Sequence, residues 1–327
     1  MQNSLIPLQN DIRITFQNSE AFLSDISSSL TAVYRFIDET LLPQFAWPAF
    51  TAVWEKYRSN RLGRSRADTD ILPVMACLAA GGEMEQALPV AASWTLYILA
   101  GRIFDDLVDG EGEDAQLFSS HEAPSPISAC LFAISAANAA LAYLEDTAVH
   151  KDVAAAFNHT LALAVKSEYE RPLLPHPSLE AYFETIAAKT GLVFATGVWA
   201  GGRAATDDQK ILAALHKFGL HLGMMTQILD DCMDLKTDLA HELWTLPLLY
   251  ALAQESHPLY KPLRQLLERQ QATPAWAAEV APVLYEMGAV SWSLQIAEAH
   301  RRQAVSVIET LPSDLNGLMH YVTPKSQ

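Results

Sequence analysis

Residues 101–110 read GRIFDDLVDG and residues 227–234 read QILDDCMD, so one DDxxD spacing occurs twice, each time at the end of an apolar segment. Side chains four positions apart on a helix project from the same face. The pairs placed in this way are Asp105 with Asp109, and Asp230 with Asp234. Like charges at this spacing repel, and burying them without a cation would cost far more. The repeated spacing therefore predicts two helix ends that share a cation site, with Gln227 one turn before the second pair.

The carboxylate oxygens of the two motifs favour Mg²⁺ as the cation. Mg²⁺ prefers carboxylate, water and phosphate oxygens, and it is usually shared between a few carboxylates and a substrate phosphate. Two aspartate walls that face each other across a cavity would hold several Mg²⁺ ions around a diphosphate, and a carbon–oxygen bond could then ionise. Because a carbocation must be shielded from water, this chemistry predicts an apolar pocket beside the motifs.

The composition limits the partners of the chain. With 22 Lys+Arg against 38 Asp+Glu, the net charge is −16 and the pI is near 4.9, which argues against nucleic acid or an anionic membrane surface. The three cysteines lie far apart in apolar contexts, so we expect buried free thiols in a reducing compartment. The N-terminal residues lack a signal-peptide pattern, and we expect a cytoplasmic protein. Residues 123–144, the longest uncharged run, favour a buried helix over a membrane span, so no integral membrane protein is expected.

Helical periodicity dominates the chain, and alternating strand patterns are almost absent. One long helix is expected to begin after Ser178 as N-cap and to end at the glycine pair 201–202. No repeat, Gly/Ser linker or charge run divides the sequence. The pattern predicts an all-α fold of roughly ten or more helices, with residues 1–327 forming a single domain.

The motifs resemble those of the polyprenyl synthetase family, the trans-isoprenyl diphosphate synthases, over most of residues 60–255. DDLVD resembles the first aspartate-rich motif of the family, and FGLHLGMMTQILDDCMD resembles the second. YFETIAAKTG resembles the segment whose Lys-Thr pair contacts an allylic diphosphate, and TLPLLYAL resembles the stretch after the second motif. The resemblance implies the isoprenoid synthase fold, a single large helical bundle around a central cavity. It also implies a homodimer that binds an allylic prenyl diphosphate.

The resemblance further implies a role for each matched residue. Asp105 and Asp109 would hold two Mg²⁺ ions, and Asp230 with Asp234 a third. Asp106 and Asp231 would support the metal ligands from behind. Lys189 would neutralise the diphosphate oxygens, and Thr190 and Gln227 would orient the substrate.

Two stretches depart from the family pattern where its chain-elongating members carry basic residues for isopentenyl diphosphate. Residues 62–70 read LGRSRADTD, with Arg64 and Arg66 as the only remnants of the first basic stretch, and residues 110–118 read GEGEDAQLF. Two arginines are expected at the positions of Asp114 and Ala115, which follow Glu111 and Glu113. A reversed charge should repel a diphosphate. Arginines from elsewhere would be the alternative, with candidates Arg58, Arg61 and Arg102. After the second motif, Leu243 replaces a usual lysine, and Lys236 is the candidate substitute.

The loss of the isopentenyl site leads us to expect a class I terpene synthase built on the prenyl-synthase fold. The ionised chain would then be quenched by cyclisation, proton loss or water. Three alternatives stay open: an ordinary chain-elongating polyprenyl diphosphate synthase, a prenyltransferase to another acceptor such as a peptide side chain, and a non-catalytic subunit of a heteromeric synthase. The paired aspartate motifs argue against the last one.

The residues before Asp105 indicate the length of the substrate. In the family, bulky residues at the positions four and five before the first motif shorten the pocket. In this sequence the two positions hold the small residues Gly101 and Ala100. Tyr97, two turns before Asp105, is the candidate floor. A geranylgeranyl-sized substrate, or a bicyclic diphosphate made from one, is therefore favoured. The alternative is that the small residues only allow close helix packing.

Overall fold

The computed structural model describes residues 20–62, 67–109, 115–118, 123–170, 178–269, 273–309, 311 and 316–322. In these residues all regular structure is helical, which confirms the all-α prediction. The α-helices are α1 Glu20–Arg35, α2 Pro48–Leu62, α3 Leu72–Ala79, α4 Met84–Asp109, α5 Pro126–Leu141, α6 Thr147–Glu170, α7 Leu179–Ile186, α8 Leu192–Ala205, α9 Gln209–Met233, α10 Leu235–Ala240, α11 Leu246–Leu252, α12 Tyr260–Leu267, α13 Pro274–Glu286, α14 Ala289–Ile308 and α15 Asn316–Met319. Short 3₁₀ turns cover Leu42–Phe45, Ala67–Ile71 and Ala115–Phe118, and π-helical turns cover Phe36–Leu41 and Ala187–Gly191.

The two aspartate motifs lie at the ends of the longest helices, α4 and α9. Helix α8 packs against both of them, α5 packs along α4, and α14 packs along α9. The main hydrophobic core runs through α4, α5, α8 and α9, and a second apolar cluster joins α10 to α14. This packing holds the two motifs on neighbouring parts of one bundle. The assignment of residues 1–327 to a single domain stays a prediction.

The predicted helix over residues 178–202 is in fact two helices joined by a π-helical turn. Ser178 is the N-cap of α7, as predicted, and its hydroxyl accepts a hydrogen bond from the Ala181 amide. Helix α7 then widens into Ala187–Gly191, the segment that carries the Lys-Thr pair. Single π-helical turns often occur at functional sites, because they shift side chains out of the regular helical register.

The glycine pair 201–202 does not end α8, so this prediction was wrong. The helix continues to Ala205. A Cβ atom on Gly201 would lie 2.1 Å from the carbonyl oxygen of Pro73, and one on Gly202 would lie 2.2 Å from the side chain of Leu215. The glycines therefore allow close packing of α8 against α3 and α9 rather than a C-terminal turn.

One described helix is long and apolar enough to cross a membrane by length and composition. It spans Met84–Val108, with a mean hydropathy of 1.4. In this fold 72% of its apolar window is buried. The hydrophobicity of α4 is thus used in packing against its neighbouring helices.

Candidate active site

A cavity of about 380 Å³ lies inside the bundle, within the range of small-molecule pockets. Its wall is formed by α4, α5, α6, the π-helical turn and α8, with Gln227 from α9. Apolar side chains make up most of this wall, among them Ile98, Ile134, Phe157, Leu161, Val193 and Phe194. The charged lining residues are Arg102, Asp105, Glu168 and Lys189. This arrangement matches the apolar pocket expected beside the first motif.

A lysine and two carboxylates form one side of the cavity mouth. The Lys189 Nζ atom lies 2.6 Å from Glu168 Oε2 and 3.5 Å from Asp105 Oδ1. The Glu168 side chain is 7% exposed, whereas that of Asp105 is 41% exposed. The buried glutamate therefore anchors the ammonium group, and the more exposed aspartate faces the opening.

A chain of hydrogen bonds connects the Lys-Thr segment to the second motif. The Thr190 hydroxyl donates to Gln227 Oε1 at 2.7 Å, and Gln227 Nε2 donates to Asp231 Oδ1 at 2.8 Å. The Tyr182 hydroxyl donates to the other oxygen of Asp231 at 2.5 Å. Burial, together with the adjacent Asp231 carboxylate, raises the pKa of Tyr182, so the phenol stays protonated and donates. Asp231 is thus a buried positioning residue whose two oxygens are both hydrogen-bonded.

The remaining motif carboxylates lie at the ends of α4 and α9. Asp106 and Asp230 are half-buried, and Asp234 is exposed as the C-cap of α9. These three do not line the cavity among the described residues, whereas Asp105 does. Asp109 is the last residue of α4, and its side chain lies outside the described part of the chain.

The donors at the two motifs fit Mg²⁺ by their chemistry, since they are carboxylate oxygens, and Asp105 among them lines the cavity. Among the described residues, no group of three His, Cys, Asp or Glu side chains is arranged to hold a metal by itself. Mg²⁺ usually keeps several water or phosphate oxygens and takes only one or two carboxylates. The residues present therefore fit ions whose coordination is completed by a diphosphate.

The sequence did not identify Glu168 and Tyr182 as functional residues. Tyr182 stands in the quoted segment YFETIAAKTG, and its spacing of seven residues before Lys189 is a usable signal. Glu168 lies near the end of α6 among other charged residues, and nothing in its local sequence distinguishes it. Its role depends on the packing of α6 against the π-helical turn.

The three candidate arginines have different surroundings. Arg61 is buried and bonds to Asp70 at 2.8 Å and to Thr69, and Arg58 pairs with Asp38. Arg102 lines the cavity, one turn before Asp105. The arginines and acidic residues at 64, 66, 111, 113 and 114 lie outside the described residues. Lys236 is exposed in the first turn of α10, and Leu243 is half-buried. Arg102 is thus the candidate that the fold brings to the cavity.

The small residues before Asp105 open onto the cavity. Ala100, Gly101 and Tyr97 all line it. A Cβ atom on Gly101 would meet no other atom within 4 Å. The alternative of close helix packing is therefore wrong for Gly101, whose missing side chain leaves free space in the cavity.

Solved structures with the same architecture share low sequence identity with this chain. Geranylgeranyl pyrophosphate synthetase from Pyrococcus horikoshii superposes with a TM-score of 0.75 at 19% identity, over 91% of this chain and 96% of that one. Polyprenyl synthase from Caulobacter crescentus, complexed with calcium and isoprenyl diphosphate, has a TM-score of 0.73 at 20% identity, over 93% and 96%. These similarities show the isoprenoid synthase fold, as predicted.

Relatives found by sequence are similar over part of their length. Heptaprenyl diphosphate synthase component 2 from Bacillus subtilis is 30% identical over 149 residues, 41% of each chain. Solanesyl-diphosphate synthase 1, mitochondrial, from Oryza sativa is 26% identical over 197 residues, 55% of this chain and 43% of that protein. The matched region thus spans less than half the length of these relatives.

The sequence pattern of the polyprenyl synthetase family matches residues 71–282. This range includes both aspartate motifs, the Lys-Thr pair and the helices that form the cavity. The chain therefore belongs to the polyprenyl synthetase family.

Proposed function

We propose that this chain is a Mg²⁺-dependent prenyl diphosphate synthase, which ionises an allylic prenyl diphosphate and joins its chain to isopentenyl diphosphate. The observation that carries the proposal is the position of Asp105 and Lys189 at the mouth of an apolar cavity. The relatives favour elongation over our expectation of a terpene synthase, since they are named as prenyl diphosphate synthases and prenyl transferases.

Different side chains at the mouth would bind and orient the diphosphate. When bound by the aspartates, Mg²⁺ ions would neutralise the departing diphosphate. Lys189 adds a positive charge beside it, and Glu168 keeps this ammonium group in place. Gln227 is held by Thr190 and Asp231, so its orientation is preorganised. The apolar wall below excludes water from the allylic cation.

Aromatic rings in the cavity wall suit the stabilisation of a cation. Trp94 and Phe194 both line the cavity and meet edge to face, with ring centroids 5.8 Å apart. The indole nitrogen of Trp94 donates to the Thr69 carbonyl at 2.8 Å, which holds the ring in its orientation. Aromatic faces attract positive charge, so these rings support an ionisation mechanism.

A second candidate function is ionisation without elongation, as in a class I terpene synthase. Asp114 and Ala115, preceded by Glu111 and Glu113, stand where the family's elongating members carry two arginines. Arg61, one of the possible replacements, is engaged by the buried Asp70. Both observations weaken the binding site for a second diphosphate, and Arg102 is then the cation on which elongation would depend.

Product analysis with and without isopentenyl diphosphate tests the proposal. The purified protein is incubated with Mg²⁺ and geranyl, farnesyl or geranylgeranyl diphosphate, and both the diphosphates and the organic extract are analysed. We expect longer prenyl diphosphates only when isopentenyl diphosphate is present, and no turnover after chelation of the metal.

Other outcomes of this experiment distinguish the alternatives. Hydrocarbons or alcohols formed without isopentenyl diphosphate would refute elongation and support the terpene synthase. Binding of an allylic diphosphate without any product would support the alternative of a prenyltransferase that uses another acceptor. No binding in the presence of Mg²⁺ would indicate a non-catalytic subunit.

Filling the free space at Gly101 should shorten the longest chain that the cavity accepts. Gly101→Phe places a ring in the cavity, and we expect its longest product, or longest bound tail, to lose at least one isoprene unit. Gly101→Ala is the matched control. Its Cβ atom meets nothing within 4 Å, so it should keep the product length and raise the free energy of unfolding by about 0.5–1 kcal/mol. Equal product lengths in the wild type and Gly101→Phe would contradict the assignment.

A further inference from the structure

The ring of Tyr97 lines the cavity on α4, two turns before Asp105. The Tyr97 ring meets that of Phe157 edge to face, with centroids 5.4 Å apart. Its hydroxyl donates to Asn158 Oδ1 at 3.4 Å, and Asn158 is exposed to solvent on α6. The ring therefore lies between the cavity and the exposed face of α6 that carries Asn158.

The hydroxyl of Tyr97 belongs to a chain of polar side chains from three helices. Asn158 Nδ2 donates to Asn138 Oδ1 at 3.1 Å and to the Ala154 carbonyl at 2.8 Å. Asn138 Nδ2 donates to the Ile134 carbonyl at 2.9 Å. Because each amide donates to a carbonyl of its own helix, Asn158 presents its oxygen to the phenol. We name Tyr97, Asn158 and Asn138 the floor latch.

The floor latch connects α5 and α6, two helices that make few direct contacts with each other. Helix α5 packs mainly along α4, and α6 packs mainly on α8. The Tyr97 ring and the two amides span the space between α5 and α6. A ring released from the latch would be able to turn about its side-chain torsions and enlarge the cavity.

We propose that Asn158 and Asn138 limit the length of the isoprenoid chain, although neither lines the cavity, by holding the Tyr97 ring in the cavity wall. This inference rests on the proposed function, because the chain in question is the tail of an allylic diphosphate. Burial raises the pKa of the Tyr97 phenol, which keeps it a hydrogen-bond donor at neutral pH. The asparagines are positioning residues, and Tyr97 contacts the end of the tail.

Tail-length limits of latch variants can be measured by binding, without turnover. Titration calorimetry in the presence of Mg²⁺ would measure the affinity for a series of non-hydrolysable prenyl thiolodiphosphates. The series begins with geranyl, farnesyl and geranylgeranyl tails and continues to longer tails, one isoprene unit at a time. In the wild type, affinity should rise with tail length and then fall by about tenfold or more once the tail meets the floor. Tyr97→Phe and Asn158→Ala should move this fall to a tail one isoprene unit longer, and Tyr97→Ala should move it at least as far.

Tyr143→Phe is the matched control, because the Tyr143 hydroxyl donates to the Thr40 carbonyl and the residue does not line the cavity. It should keep the wild-type limit. If Tyr97→Phe and Asn158→Ala also keep that limit while Tyr97→Ala extends it, the ring alone sets the length and the latch is refuted. If no analogue binds at any length, the proposed function itself fails, and this inference fails with it. If analogues bind but isopentenyl diphosphate is not used, the latch can still be judged from the binding limits.

Discussion

Replacing Asp105 by alanine should lower kcat/KM for an allylic prenyl diphosphate by about 10²- to 10³-fold, the usual effect of losing one preorganised group that stabilises the transition state. Asp105 lines the cavity mouth and faces Lys189 across 3.5 Å. Its loss removes a metal ligand and leaves the ammonium group paired with Glu168 alone. We also expect a higher Mg²⁺ concentration for half-maximal activity, measured by steady-state kinetics over a Mg²⁺ series.

Stability measurements separate this effect from unfolding. The Asp105–Lys189 pair is partly exposed, so its loss should change the free energy of unfolding by no more than about 1 kcal/mol. Glu255→Ala, which removes an exposed carboxylate from a turn, is the control for a change of net charge. Full activity of Asp105→Ala at every Mg²⁺ concentration would show that the first motif does not hold the metal.

Replacing Asp70 by asparagine should destabilise the fold by about 3 to 5 kcal/mol, because it removes one charge of the buried ion pair with Arg61. The Asp70 side chain is 0% exposed and that of Arg61 is 7% exposed. The carboxylate accepts from Arg61 at 2.8 Å and from the Tyr34 hydroxyl at 2.7 Å, so it joins α1, α2 and the turn before α3. Asparagine preserves the volume, and the loss of charge is the main change. Urea unfolding followed by circular dichroism measures the difference.

A second ion pair with the same separation provides the control. Arg269 and Glu279 also lie 2.8 Å apart, but their side chains are 60% and 57% exposed. Exposed pairs contribute about 0 to 1 kcal/mol, so Glu279→Gln should be nearly neutral. Similar losses for the two variants would show that burial does not determine the importance of the Asp70 pair.

Much of the candidate site could be predicted from local patterns. The repeated DDxxD spacing identified Asp105 and placed Gln227 one turn before the second pair, whereas Lys189 and Thr190 came from the resemblance of YFETIAAKTG to the family; the structure brings these four to one cavity. Helical periodicity also predicted the all-α fold. These features are local, since the pitch of a helix determines which residues share a face.

Other features depend on segments far apart in the chain. Gly201 was expected to end a helix, yet it permits the contact with Pro73. Glu168 reaches Lys189, and Asn158 reaches Tyr97, only because α6 packs beside the π-helical turn and α4. The sequence alone determined the helical fold and the two aspartate motifs, and its resemblance to the family indicated the lysine near them. The tertiary structure decided which side chain anchors that lysine, which residues line the cavity and which glycines are packed, because these depend on which helix faces meet.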